Sequence, residues 1–284
     1  MSGPSISVLM PSYNFARFLR DAIESVLRQE GVEVELIVQD GASTDETVDV
    51  LKSYEGRIDW VSEPDRGQAD ALNRALRRAN GDWIAWLNVD EFYLPGVLAR
   101  LLEAAERNAA DFVYGDAVFV DAQGRIMRLL PQHRFSPTVL KHYGTYISTC
   151  ACLFRRDILD AEPWDASINR VMDWDLYLNL HRAGRRFVYE PLPVAGFRVH
   201  DAQITAQPRK DAIPIYEALL AKHGIRRTRF SQARGYLTHA LLKATAGSYG
   251  RQRCVARLQG RELAWFDGPN PTVGAIERCY AKRP

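Results

Sequence analysis

The chain has 284 residues, enough for one large domain or for one domain with an appendage. It is 46% hydrophobic and 25% charged, which is ordinary for a globular protein, and no apolar run approaches the roughly 20 residues of a membrane-spanning helix. Its first residues show no signal-peptide pattern and its four cysteines show no zinc-site spacing, so we expect reduced thiols in a cytoplasmic protein.

The net charge of +2 hides an asymmetry along the chain. Residues 1–208 carry 22 Lys and Arg against 30 Asp and Glu, whereas residues 209–284 carry 15 against 5. The two regions therefore differ in sign. This predicts a catalytic domain over 1–208 and a basic helical region over 209–284 with a different role.

Strands alternate with helices over the first 110 residues. Apolar runs predict strands over 6–10, 34–38, 58–61 and 83–87, and helical spacing predicts helices over 15–29, 48–54, 68–79 and 94–108. Most of these strand segments are apolar without alternation, which is typical of strands covered by helices on both faces. The pattern predicts an α/β fold with a mostly parallel sheet.

The second half of the chain is less regular. Further strands are predicted over 112–116, 117–120, 125–130, 148–154 and 187–189, with a helix over 174–183. Beyond residue 208 the pattern becomes helical and basic. We expect this part to form a helical tail on the α/β domain.

Polar side chains follow each of the first four predicted strands. They are Asn14, Asp40, the pair Asp65 and Arg66, and the pair Asp90 and Glu91. In open α/β sheets ligands bind beyond the carboxyl ends of the strands. The sequence therefore predicts that these four clusters line one crevice.

Two adjacent carboxylates, Asp90 and Glu91, lie near the end of the apolar stretch WIAWLNVDEF at residues 83–92. Oxygen ligands suit magnesium or manganese, which proteins bind by one or two carboxylates together with substrate phosphates. A buried strand would hold such a site rigidly. The alternative is a carboxylate pair at a helix entry, because Pro95 soon begins a helix.

Four motifs stand in the order found in family 2 glycosyltransferases: PSYN at 11–14, DGASTD at 40–45, DRGQADALN at 65–73 and WLNVDE at 86–91. The chain resembles that family over roughly its first 200 residues. The resemblance implies a GT-A fold, a Rossmann-like nucleotide-binding sheet flanked by helices. It also implies a UDP- or GDP-sugar donor, Mn²⁺ or Mg²⁺, and inversion at the anomeric carbon.

The same resemblance implies roles for particular residues. Asp40 matches an acid that binds the base or ribose, and Asp116 matches a segment near the donor sugar. Arg66 is placed to reach phosphate, with a surface salt bridge as the alternative. The residues implied in donor binding are Pro11, Ser12, Tyr13, Asn14, Asp40, Asp65, Arg66, Gln68, Asp70, Asn88, Val89, Asp90 and Asp116.

The implied metal ligands are Asp90, Glu91 and His200, the last within FRVH at 197–200. The sequence departs from the family pattern at two positions. Asn88 stands where the family often has an acid, and Glu91 stands where it often has aspartate. Which of Asp90 and Glu91 touches the metal is left open.

MDWDLY at 172–177 resembles the family segment that carries the catalytic base, with Met172 replacing an acid. Inverting transfer needs a general base to take the proton of the attacking hydroxyl. Asp173 is the predicted base, and Asp175 is expected to cap or orient the helix. The alternative is that both are helix-start acids favoured by the helix dipole.

The predicted function is transfer of a sugar to a hydroxyl acceptor, lipid-linked or saccharide, in polysaccharide or glycoconjugate biosynthesis. A sugar-phosphate nucleotidyltransferase would instead need a Gly-rich basic loop after the first strand, which residues 11–14 do not provide. A nucleotide-sugar-binding module that has lost catalysis is the other alternative. Asn88 and Met172 keep it open because each replaces an acid of the family pattern.

The basic tail allows three roles: packing on the catalytic domain, peripheral contact with the inner face of an anionic membrane, and dimerisation. Arg253, Arg257 and Arg261 recur at every fourth position, which predicts one face of a helix. Nucleic acid is not an expected partner, because Trp265, Phe266 and Tyr280 lie outside the basic clusters.

Overall fold

A computed structural model gives the fold and describes residues 5–168, 170–201, 203, 213–264 and 270–281. Within these residues nine strands form one sheet. The strands are β1 Ser5–Ser12, β2 Glu33–Asp40, β3 Asp59–Ser62, β4 Trp83–Trp86, β5 Glu91–Tyr93, β6 Phe112–Val120, β7 Ile126–Leu130, β8 Cys152–Arg155 and β9 Phe187–Arg198.

Helices cover the sheet and extend beyond it. They are α1 Ala16–Leu27, α2 Thr47–Lys52, α3 Gln68–Arg78, α4 Val97–Arg107, α5 Pro137–His142, α6 Met172–Arg182, α7 Ile213–Lys222, α8 Arg229–Thr245, α9 Ser248–Ala256 and α10 Pro271–Ala281. None of the described helices is long and apolar enough to cross a membrane.

The strand order is β3-β2-β1-β4-β8-β6-β9-β5, with β7 beside β6. Strands β1 to β4 pair in parallel, β8 runs antiparallel to β4 and β6, and β9 runs parallel to β6 and antiparallel to β5. The predicted α/β class is confirmed. The sheet is mixed because its second half adds antiparallel strands to the parallel first half.

Apolar side chains pack on both faces of the sheet. One cluster joins Leu19 of α1 and Leu98 of α4 to the sheet, and it includes Ile276 of α10. The other joins Leu72 of α3 and Trp174 of α6. Burial on both faces explains why the parallel strands are apolar at successive positions rather than alternately.

The carboxyl ends of β1, β2 and β3 lie side by side. Ser12 pairs with Asp40, and Asp40 pairs with Ser62. The loops that follow these strands therefore begin at one edge of the sheet. This is the crevice edge that the sequence predicts.

Three strand predictions were wrong in length. Residues 148–154 were predicted as one strand, but Thr149–Ala151 form a turn of 3-10 helix and β8 begins at Cys152. Residues 112–120 form one strand rather than two, and β9 runs to Arg198 where a strand of three residues was predicted. Within β9, Pro193 lies at a register shift opposite Asp116, where a strand tolerates proline. Phe92 packs against Gly196, where a Cβ would lie 2.1 Å from its ring, so glycine is required there.

Two predictions about the tail were also wrong. Helix α9 ends at Ala256 and a turn follows, so Arg253, Arg257 and Arg261 do not share a helix face. Cys254 and Cys279 form a disulfide between α9 and α10, whereas the sequence suggested reduced thiols. Cys150 and Cys152 are free, as predicted, and both are buried. The cytoplasmic location stays a prediction.

Candidate functional site

The loops after β1 and β2 are joined by hydrogen bonds. The backbone N–H of Asn14 donates to Ser43 Oγ at 2.8 Å, and the N–H of Thr44 donates to Asn14 Oδ1 at 2.8 Å. The N–H of Gly41 donates to the carbonyl of Ser12 at 2.9 Å. The two loops are therefore positioned relative to each other before any ligand binds.

Asp40 ends β2 and is fully buried. Its carboxylate accepts from Ser43 Oγ at 2.5 Å, from the Ser43 N–H at 2.9 Å and from Ser62 Oγ at 2.7 Å. The sequence indicated Asp40 but not these two serines. Their only sequence signal is position, because each lies at or just after the end of a strand.

Asp65 lies in the loop after β3 and is half-buried, and this burial raises the pKa of its carboxyl. It accepts from the Gly67 N–H at 2.8 Å and packs against Gly41, where a Cβ would lie 2.9 Å from Asp65 Oδ2. A glycine at position 41 therefore leaves room for this carboxylate between two loops.

Arg66 is mostly exposed and pairs with Asp70 at 3.1 Å, and Arg74 pairs with the same carboxylate at 2.8 Å. The hydrogen bond from Arg66 lowers the pKa of Asp70 to about 2. Asp70 thus stays charged and holds Arg66 at the loop. The guanidinium is 70% exposed and retains donors beyond the one bound to Asp70.

Asn88 follows β4 and accepts two hydrogen bonds on one oxygen. Gln68 Nε2 donates to Asn88 Oδ1 at 2.6 Å, and Trp86 Nε1 donates to the same atom at 2.8 Å. Val89, the next residue, is buried. An amide at position 88 fits this environment because both neighbours are neutral donors.

Asp90 lies against residues that come more than 100 positions later in the chain. His200 Nε2 lies 3.0 Å from Asp90 Oδ2, and Gln203 Nε2 donates to the same oxygen at 3.0 Å. The rings of Phe15 and Phe18 pack on the His200 ring. The end of β9 is thereby held at the end of β4, and Gln203 is a participant that the sequence did not indicate.

Glu91 points the other way, into the core, where its side chain is 1% exposed. Its Oε2 accepts from the Asn88 N–H at 3.0 Å. Burial, together with the nearby charge of Asp90, raises the pKa of Glu91 to about 8, so this carboxyl is mainly protonated near neutral pH. The two adjacent carboxyl groups thus occupy different environments.

Asp173 lies in the first turn of α6 and is half-buried. Thr145 Oγ1 donates to its Oδ2 at 3.4 Å, and burial raises the pKa of the carboxyl. Neither Lys nor Arg forms an ion pair with it among the residues that the structure describes. Asp173 is therefore a carboxylate with a neutral partner and an elevated proton affinity.

Asp175 has a different set of partners. It is buried and accepts from Lys222 Nζ at 2.9 Å and lies 2.7 Å from His223 Nε2. Lys222 also donates to Asp165 at 2.9 Å. The carboxylate of Asp175 therefore connects α6 to the end of α7.

Asp116 does not lie open at the crevice. It is fully buried in β6 and accepts from the Gln132 N–H at 2.6 Å, from Tyr189 Oη at 2.8 Å and from Tyr280 Oη at 2.7 Å. Arg251 Nε lies 3.4 Å away. In this arrangement Asp116 joins the sheet to α9 and α10 and presents no free oxygen to a sugar.

Left-handed backbone occurs at three non-glycine positions of these loops. Asn14 has φ of 54°, Ala42 of 61° and Val171 of 54°. Val171 precedes α6, and a β-branched residue rarely adopts this conformation. Strained residues persist where surrounding contacts hold them and are frequent at functional sites. The strain here lies beside Asp40 and Asp173.

The donor set at Asp90 fits a divalent cation in part. A carboxylate and an imidazole from distant strands come together, and both are ligands for manganese. Within the described residues no group of three or more His, Cys, Asp or Glu side chains forms a metal cluster. Two protein ligands are nevertheless enough where substrate phosphates supply others.

Comparison with known families identifies the chain. The family described as Glycosyl transferase family 2 matches residues 7–162, more than half of the sequence. The chain belongs to this family. The predicted family is confirmed.

Curated relatives agree with this assignment. An uncharacterised glycosyltransferase of Rickettsia typhi is 27% identical over 229 residues, which are 76% of this chain and 70% of the relative. A PGL/p-HBAD biosynthesis glycosyltransferase of Mycobacterium bovis is 34% identical over 124 residues, 42% of this chain and 48% of the relative. The chain spans only about a third of relatives from Rickettsia felis and Rickettsia bellii, 32% and 30% of their lengths.

Solved structures show the same GT-A fold. S. aureus TarS 1-349 in complex with UDP has a TM-score of 0.60 at 16% identity, over 88% of this chain and 74% of that one. The mannosyltransferase PcManGT from Pyrobaculum calidifontis, in complex with GDP-Man and Mn²⁺, has a TM-score of 0.55 at 16% identity, over 98% of this chain and 86% of that one. The predicted GT-A fold is confirmed.

Proposed function

We propose that this chain is an inverting glycosyltransferase that moves a sugar from a nucleoside-diphosphate donor to an acceptor hydroxyl. The observation that carries the proposal is the contact of Asp90 with His200, which joins the ends of β4 and β9 at the crevice edge. A carboxylate and an imidazole at this position suit a cation that binds a diphosphate.

The donor nucleotide is proposed to bind along the loops after β1, β2 and β3. Asp40 is the proposed acceptor of base or ribose hydrogen bonds, and to accept them its buried carboxylate would exchange a serine hydroxyl, Ser43 or Ser62, for a group of the nucleoside. Arg66 is the proposed phosphate contact, held in place by Asp70. Structural neighbours crystallised with UDP, UDP-GlcNAc and GDP-Man support a nucleotide-sugar donor, and the base stays open between uracil and guanine.

Asp90 and His200 are the proposed metal ligands. Glu91 is a weaker candidate because its carboxyl is buried and holds its proton near neutral pH. Neighbours crystallised with Mn²⁺ support manganese, with magnesium as the alternative. When bound, a divalent cation would act as a Lewis acid that offsets negative charge on the departing diphosphate.

Asp173 is the proposed general base. Its raised pKa brings it closer to the working pH, which favours proton transfer from a hydroxyl. Asp175 is a poorer candidate because Lys222 and His223 occupy its oxygens. In the proposed step Asp173 takes the acceptor proton while the acceptor oxygen bonds to the anomeric carbon, and the bond to the diphosphate breaks on the opposite face.

Thermal-shift titration tests the donor and metal assignments separately. Wild-type protein is titrated with UDP and GDP, each with and without Mn²⁺, beside Asp90→Asn and the matched neighbour Glu91→Gln. A ligand at a hundred times its dissociation constant stabilises by about 2.7 kcal/mol. We expect Mn²⁺ to increase the shift in wild type and in Glu91→Gln but not in Asp90→Asn.

The opposite result would contradict the assignment. If Glu91→Gln loses the Mn²⁺ effect and Asp90→Asn keeps it, the ligand is Glu91. If neither nucleotide shifts the melting temperature with or without metal, the proposed donor class is wrong. Chelator treatment of active enzyme is the matching activity test, and full turnover in excess chelator would remove the metal from the proposal.

A further inference from the structure

Helix α8 has an exposed apolar face. Phe230, Leu237 and Leu241 are 80%, 72% and 64% exposed. At 100° per residue these three side chains fall within about 40° of one another around the helix axis. They therefore form one stripe along three turns rather than scattered exposed residues, and we call it the α8 stripe.

The opposite face of α8 is firmly packed. Gly235 lies against the backbone of His142 and Tyr143, where a Cβ would lie 2.9 Å away. His239 lies 2.8 Å from His133, and Leu242 is buried. Thr228 also caps the helix through a reciprocal pair of hydrogen bonds with Ser231. The orientation of α8 is thus fixed by its inner face, and the stripe is held outward.

The chain around the stripe has positive charge and no carboxylates. Between Glu217 and Glu262 the sequence contains ten Lys or Arg and no Asp or Glu. Some of these cations pair with buried carboxylates: Lys222 binds Asp175, and Arg251 lies beside Asp116. Six others are exposed and form no ion pair with any described residue: Arg226, Arg229, Arg234, Arg253, Arg257 and Arg261.

Arg234 lies at the stripe itself, four residues after Phe230 and three before Leu237. Arg229 and Arg226 lie at and before the start of the same helix. An apolar face with Phe and Leu, accompanied by arginines, is the pattern of helices that lie in the interface of an anionic bilayer. The apolar side chains enter the acyl boundary while the arginines contact headgroup phosphates.

We propose that the α8 stripe docks on an anionic lipid surface. A second copy of the chain fits less well, because two such faces in a symmetric contact would bring arginines together with no acidic residue in either segment. The inference does not depend on the sugar-transfer function. Through α5, the docked helix lies near the segment that carries Thr145, the neighbour of Asp173.

Co-sedimentation with lipid vesicles tests the proposal. Full-length protein is mixed at low salt with vesicles of 30% phosphatidylglycerol in phosphatidylcholine and with vesicles of phosphatidylcholine alone. We expect sedimentation with the anionic vesicles only, and release at 0.5 M salt. The triple variant Phe230→Gln, Leu237→Gln, Leu241→Gln should bind at least tenfold more weakly, and it should fold because all three side chains are exposed.

Charge variants separate the electrostatic contribution to vesicle binding from the apolar contribution of the α8 stripe. Arg226→Gln, Arg229→Gln and Arg234→Gln should each reduce partitioning roughly fivefold, since each basic residue near an anionic surface contributes about that factor. The matched control is Arg57→Gln, another exposed arginine, in the turn before β3, which should bind as wild type.

Four results would overturn the proposal. They are absence of binding to either vesicle, equal binding to both, unchanged binding of the triple glutamine variant, and an equal loss in Arg57→Gln and Arg234→Gln. Sedimentation velocity without lipid is the companion measurement. If wild type dimerises, the triple variant does not, and no vesicle binding is seen, the stripe is an interface between copies.

Discussion

The crevice edge formed by β1 to β4 and the helical region over 213–281 use their polar side chains differently. In the loops after β1 to β3 the hydrogen bonds join residues close in sequence, such as Asp40 with Ser62, 22 residues apart, and Asp90 after β4 reaches far along the chain, to His200. In the helical region they span long separations, such as Tyr280 with Asp116, 164 residues apart. The first region carries the groups proposed to bind the donor, whereas the second supports buried carboxylates such as Asp116 and Asp175.

The largest expected effect comes from the proposed base. Asp173→Asn should reduce kcat roughly 100- to 10,000-fold, the usual contribution of a positioned general base. Donor affinity should change little, because the acid lies outside the donor loops. Steady-state kinetics with a sugar acceptor measure both quantities. An active Asp173→Asn enzyme would place the chemistry on another group.

Asp175→Asn should act on stability rather than chemistry. A hydrogen bond to a charged group contributes about 1.5–3 kcal/mol, and since Lys222 is 41% exposed we expect a loss of about 1.5 kcal/mol of unfolding free energy. Urea denaturation measures it. The control is Asp165→Asn, which removes the other and more exposed partner of Lys222 and should cost less than about 1 kcal/mol. Equal losses in the two variants would show that Asp175 is no anchor.

The disulfide should stabilise the helical region. Cys254 and Cys279 close a loop with a sequence separation of 25, for which the chain-entropy estimate is about 3.5 kcal/mol. Reductant should therefore lower the melting temperature of wild type. The double variant Cys254→Ser, Cys279→Ser should have the lower melting temperature without reductant, and reductant should not change it. A reductant effect of the same size in that variant would point to another cause.

A smaller effect is expected at the crevice edge. Gly41→Ala would place a methyl group against Asp65, whose carboxylate has to move. Loss of one hydrogen bond to the donor would raise the donor KM roughly two- to tenfold with little change in stability. The control is Gly250→Ala in α9, where an added Cβ meets open space. A stability loss without a KM change would make the Gly41–Asp65 contact purely structural.

The smallest effect concerns pH. The general base must be deprotonated, so activity should fall as pH drops through the raised pKa of Asp173. Thr145 donates to this carboxyl and favours its charged form. Thr145→Val should therefore raise the pKa and move the acid limb of the kcat profile upward by about 0.5 pH unit. An acid limb that moves to lower pH in Thr145→Val would contradict the role of the Thr145 hydroxyl.

The crevice edge was largely predictable from the sequence and the helical region was not. Alternating elements and strand-end acids follow from periodicity and from the rule that ligands gather at carboxyl ends of parallel strands. The partners of Asp90 and Asp175 depend on packing over long separations, which no local pattern records. The full length of β9 was missed for the same reason, because the register shift at Pro193 and the Phe92 ring against Gly196 involve other strands.

The bond between Tyr280 and Asp116 has a consequence for how the chain is made. At the usual 5–20 residues per second, about 8–30 s pass between translation of β6 and of the helix that carries this phenol. During that interval the middle of the sheet has a carboxyl without one of its native donors. The set of hydrogen bonds to Asp116 is therefore complete only after α10 has been synthesised. A pause in translation before α10 would prolong the time during which Asp116 lacks the Tyr280 hydroxyl.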